Sequence, residues 1–99
     1  LAVSSIVRFE LFFRAYRSKM TQQNLEAMLS LAFNVLDFDD NDARQAAEIR
    51  ASLESAGTPI GPYDTLIAGQ ARARDLIIVT RNLGEFARVD GLRLENWEA

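Results

Sequence analysis

Ninety-nine residues, 48% hydrophobic and 25% charged, predict one globular domain with an adequate but not generous core. The absence of Cys and His excludes disulfides, thiol and imidazole catalysis and nearly all zinc sites, leaving hard cations held by oxygen. No apolar run approaches the ~20 residues of a membrane span and no signal-peptide pattern appears, so no membrane partner is expected, and the absence of Cys fits a reducing cytoplasm.

The net charge of −3 is unevenly spread. Arg8, Arg14, Arg17 and Lys19 near the start face Glu10 alone, and Arg72, Arg74, Arg81 and Arg88 face Asp75 and Glu85. Two basic segments around isolated acids suit a polyanion held through a bridging cation, although solvated helix faces give the same composition.

The chain opens on LAVSSIV, an apolar strand over 1–6 with no Met before it, and reads as a piece of a longer protein. Ser4 or Ser5 then caps a helix over 7–19 whose apolar side holds Phe9, Phe12 and Phe13. A Thr21 cap opens a second helix over 22–33, and 35–38 form a short strand. Asp39, Asp40 and Asp42 serve as turn and cap residues for a helix over 43–56, which Gly57 stops.

Gly61-Pro62 starts the next helix, because Pro fits the first helical position, where its missing N–H costs nothing. Asp64 falls in that helix's first turn, where free N–H groups favour an acid. The continuous apolar run 76–79 predicts a strand buried on both faces. Residues 83–88 make one irregular helical turn, 92–95 a last strand, and Trp97 closes the core.

This order predicts an α/β fold, a parallel sheet with helices on both faces. Strand carboxyl ends and helix amino ends then share one edge, where ligands bind. Glu10, Asp64, Asn82 and Glu85 should collect there.

These residues resemble a known family. SSIVRFEL, with Glu10, is similar to the second acidic motif of PIN-domain ribonucleases. GTPIGPYDTLIAGQARARDLIIVTRNLGEF resembles the third and fourth motifs of VapC toxins, and VDGLRLENW their C-terminal strand. The resemblance implies a Mg²⁺- or Mn²⁺-dependent endoribonuclease, often cutting tRNA, neutralised by a VapB-type antitoxin and commonly a homodimer. It makes Asp64 the most direct metal ligand and Glu10 the second acid. Asn82 stands where many relatives carry Asp, so metal affinity leans more on Glu85. Thr80, Arg81 and Arg8 are candidates to hold the RNA, with Arg14, Arg72 and Arg74 further cations for its backbone.

The chain lacks the family's first motif, a central strand ending in Asp, so an incomplete PIN-like domain short of roughly 30 residues is expected. Two readings stay open: a metal-dependent ribonuclease toxin, its fragment alone inactive, or a catalytically incomplete module that dimerises or holds an antitoxin. Each residue also has a plainer role. Asp64 can be a first-turn helix acid, Glu10 a surface Glu, Asn82 a turn residue and Glu85 an exposed side chain.

Overall fold

The computed structural model describes residues 2–30, 34–80 and 82–96. The chain forms two compact units, Leu1–Asp37 and Phe38–Ala99.

In the first unit, β1 (Ala2–Ser4) runs straight into α1 (Ser5–Arg17), so the expected strand is shorter and the helix starts earlier. Ser4 is the cap, its hydroxyl accepting from the Ile6 N–H at 3.1 Å. Thr21 does not cap α2 (Thr21–Leu29). It is the first helical residue, and its hydroxyl donates back to the Ser18 carbonyl at 3.0 Å. β2 (Asn34–Leu36) pairs in parallel with β1, Val3 opposite Val35. Phe9 and Phe13 lie on the surface of α1, while Ala15 is buried.

The second unit is built on a pair of helices. α3 (Asp40–Ser55) opens on a reciprocal capping box: Asp39 accepts from the Asp42 N–H and Asp42 from the Asp39 N–H, both at 2.9 Å. It closes on Gly57 at φ 73°, with Gly57 N–H on the Glu54 carbonyl and Thr58 N–H on the Leu53 carbonyl. That double bond satisfies two terminal carbonyls and requires a left-handed residue, which glycine supplies without strain. Ala46, Ile49 and Leu53 repeat at helical spacing and face inward.

α4 (Pro62–Ala73) begins at Gly61-Pro62 as expected and buries Thr65, Ala68, Gly69, Gln70 and Ala71. Gly69 lies directly against Ala46 of α3. Ile49, Leu53, Ala68, Phe86 and Val89 form the core, each large side chain contributing ~1.5–3 kcal/mol relative to exposure.

β3 (Ile77–Thr80) pairs in parallel with β4 (Arg93–Asn96), Ile78 opposite Leu94, around α5 (Leu83–Phe86). β3 is not buried on both faces: Ile78 packs on the core, whereas Ile77 and Val79 are 43% and 51% exposed. An unbroken apolar run fixes which residues can be covered, not what covers them. Trp97, Phe33 and Arg81 lie outside the described residues. Among the described residues no helix is long and apolar enough to cross a membrane.

Candidate functional site

Asp64, Asn82 and Glu85 meet in the second unit. Asp64 stands in the first turn of α4, placed by the Gly61-Pro62 helix start. Asn82 precedes α5 and Glu85 lies within it, just past the end of β3. A helix amino end and a strand carboxyl end thus deliver these groups to one place, as the topology requires.

Asp64 shares a side-chain hydrogen bond with Glu85, and the Asn82 amide donates to Glu85 Oε2 at 3.2 Å. Gly61 lies alongside: a Cβ there would sit 3.7 Å from Asp64 Oδ2 and 3.9 Å from Glu85 Oε2. The Glu85 carboxyl is held below its ordinary value. The bond with Asp64 is the main cause, and the Asn82 amide, the Gly61 N–H and the charge of Arg88 add to it against some desolvation.

Two carboxyl groups in contact repel when both are ionised, so a proton or a cation stabilises the pair. The donor set is two carboxylate side chains and one neutral amide, all oxygen-bearing, which suits a hard divalent cation. Among the described residues no group of three acids forms a ready cation cage. One or two carboxylates, completed by water and phosphate oxygens, is the usual complement for Mg²⁺.

The remaining candidates are placed as follows. Glu10 and Arg8 lie on α1 of the first unit, Glu10 half-buried and Arg8 with its guanidinium 5.0 Å from the centre of the Phe12 ring. Thr80 ends β3, and its hydroxyl accepts from the Asn82 N–H at 2.9 Å, shaping the turn that carries Asn82.

Two arginines expected on RNA are engaged within the fold. Arg72 binds Gln45, Glu48 and the Asp90 carbonyl. Arg74 Nη2 lies 2.8 Å from Asp42 Oδ2 and 3.6 Å from Asp39 Oδ2.

Asp42 is more than a cap. It is fully buried, and burial alone would push its carboxyl up. Bonds from Arg74 and the Asp39 N–H, the charge of Arg74 and the Gln70 amide outweigh that and hold it below its ordinary value. The D-x-x-D spacing marks the capping box, but nothing local reveals a partner 32 residues away.

A groove of about 550 Å³ along α3 and α4, lined by Phe38, Ala47, Leu53, Ile60 and Leu66 among others, is apolar and holds none of the candidate acids.

The PIN domain family matches residues 1–92. A curated relative, the tRNA(fMet)-specific endonuclease VapC of Shigella flexneri, is 44% identical over 99 residues, covering 98% of this chain and 75% of the relative. Ribonuclease VapC2 of Haemophilus influenzae is 40% identical over 100 residues, with 98% and 75% covered. The crystal structure of DNA-bound VapBC from Salmonella typhimurium superposes with a TM-score of 0.93 at 43% identity, covering 97% of this chain and 74% of that one. VapBC-1 from nontypeable Haemophilus influenzae gives 0.93 at 29% identity, covering 100% and 75%.

Proposed function

This chain belongs to the PIN-domain family, and on that premise we propose that it is the endoribonuclease toxin of a toxin–antitoxin pair. Its substrate is RNA, with tRNA the favoured class, and its restraint is a VapB-type antitoxin. The cation is Mg²⁺ or Mn²⁺, the working form a homodimer and the compartment the cytoplasm. The observation that carries this reading is the meeting of Asp64 with Glu85 beside Asn82.

Asp64 and Glu85 are the residues to hold the cation, with Asn82 adding a neutral oxygen; Glu10, on α1 of the first unit, matches the second acid of the family pattern. When bound, a divalent cation supplies an activated water and offsets charge developing on the phosphate. The chain's own part is electrostatic and positional. Pro62 sets the start of α4 and so the placement of Asp64. The Thr80 hydroxyl and the Asn82 amide fix the turn that presents Glu85. At this site the groups the chain itself offers for proton transfer are the carboxylates of Asp64 and Glu85.

The test is Asp64→Ala in the complete protein, assayed on tRNA with Mg²⁺ or Mn²⁺, and for growth arrest on expression. Loss of both, against an active parent, is expected. Cleavage undiminished by the substitution refutes the assignment, and a parent that binds antitoxin but cuts no RNA identifies a binding module instead.

A further inference from the structure

Arg88 is exposed, follows α5, and has no place in the chemistry just described. Its Nη1 nevertheless donates to the Pro59 carbonyl at 2.9 Å, across 29 residues of sequence. Pro59 lies in the segment 58–61 that links the end of α3 to the start of α4, three residues before the Pro62 that begins Asp64's helix.

The same two pieces of chain meet again at the acids, where the Gly61 N–H and Asp64 both reach Glu85. The segment leading to Asp64 is therefore held to the α5 turn at two places, one of which is the metal-binding pair itself. The α5 side is the fixed partner, since Phe86 and Val89 are 4% and 6% exposed and anchored in the core. Within the linking segment, Ile60 packs against that core.

The geometry points to Arg88 as a positioning residue: its bond to the Pro59 carbonyl sets the spacing of Asp64 and Glu85, and through it the cation affinity of the pair. This rests on the nuclease reading above. Groups that orient a ligand without touching the metal commonly matter tenfold or more to metal affinity.

The sign of the effect separates this role from two simpler ones. A cation beside a divalent-ion site repels the ion, so if Arg88 acted only through its charge, removing it would tighten metal binding. If Arg88 held RNA phosphate, removing it would raise KM and flatten the salt dependence of RNA binding, leaving metal affinity alone. Positioning alone predicts weaker metal binding.

Arg88→Met keeps much of the stem and drops the donors; Arg88→Leu drops the donors and the charge with a shorter stem, and Arg88→Lys keeps a donor and the charge. Mn²⁺ affinity is measured without RNA by electron paramagnetic resonance titration, alongside cleavage at varied Mn²⁺. For Arg88→Met the expected result is a roughly tenfold weaker Mn²⁺ affinity. KM for RNA at saturating Mn²⁺ should stay near that of the parent, and Arg88→Lys should recover most of the affinity. Arg88→Leu, which also lacks a donor, serves in place of Arg88→Met if the latter fails to fold. Mn²⁺ affinity that is unchanged or tighter in the uncharged variant overturns the inference, whatever KM does. A parent protein that binds no Mn²⁺, or whose Mn²⁺ binding survives Asp64→Ala, removes the nuclease reading itself.

Discussion

Gly69→Ala is the substitution whose consequence the structure fixes most tightly. A Cβ at Gly69 would lie 2.5 Å from the Ala46 backbone nitrogen and 2.6 Å from both its Cα and its Cβ. Ordinary contact between such atoms is ~3.5–4.0 Å, so α3 and α4 must part by about 1 Å. Overpacking of this kind costs ~1–3 kcal/mol, and a backbone obstacle, which cannot swing away, places the cost near the top of that range. The better helix propensity of Ala returns ~1 kcal/mol. The net is about 2 kcal/mol, a fall in Tm of roughly 8–16 °C for a chain of this length.

The displacement also reaches the site. α4 is tied to the start of α3 by Arg74 on Asp42, while Asp64 stands near its other end. At ~1.5 Å per residue, Gly69 lies about 7.5 Å from that tie and Asp64 about 15 Å. A push of about 1 Å at Gly69, pivoting on the tie, moves Asp64 by about 2 Å. Misplacements of ~1 Å cost ~10²-fold in rate, so cleavage should fall by that order even where the variant is fully folded. Urea unfolding gives the stability and cleavage below the transition gives the rate. Adding Ala46→Gly should restore only part of the loss, since it removes one of three obstructing atoms. A Gly69→Ala protein as stable and as active as the parent would refute the close crossing.

Asp42→Asn should destabilise by about 3 kcal/mol at neutral pH, the lower end for a broken buried pair because Arg74 keeps 30% of its side chain exposed. Because the Asp42 carboxyl sits below its ordinary 3.8 in the fold, its stabilisation is complete above that pH and is lost as pH falls through the folded value. The gap between parent and variant in urea midpoints should therefore be constant above about pH 5 and close below about pH 4; a gap still constant at pH 2–3 would contradict the pairing. Asn82→Asp exchanges a donor to Glu85 for a third carboxylate, so metal-free protein should melt lower and gain a larger Tm rise from Mn²⁺ than the parent. Equal Mn²⁺-induced rises would place Asn82 outside the cation site.

What could be read ahead of the coordinates was local. Gly57 and Pro62 end and begin helices through backbone chemistry that two or three residues specify, and Asp64 followed from Pro62. Asn82 and Glu85 followed from the family pattern and from strand topology. Thr21 misled because Ser and Thr favour several positions around a helix start, and here the hydroxyl turned back to Ser18. The contacts that hold the site escaped for a common reason: Gly69 on Ala46, Arg74 on Asp42 and Arg88 on Pro59 join residues more than twenty apart. No periodicity encodes such pairs, and Arg72 and Arg74 looked like RNA contacts because charge alone says nothing of its partner.

The acids of the second unit sort by what surrounds them. At Asp42 the fold supplies an arginine, the Asp39 backbone N–H and an amide, the arrangement expected where a buried charge serves stability. At Glu85 it supplies another acid, Asp64, with the Asn82 amide and the Gly61 N–H alongside. Arg88, whose charge acts on Glu85, places its Nη1 on the Pro59 carbonyl. Bringing one carboxyl to another is unfavourable for a resting protein and becomes favourable when a divalent cation enters between them. A contact between two acids in the same unit that pairs Asp42 with an arginine is the kind of local exception that supports the proposed cation site.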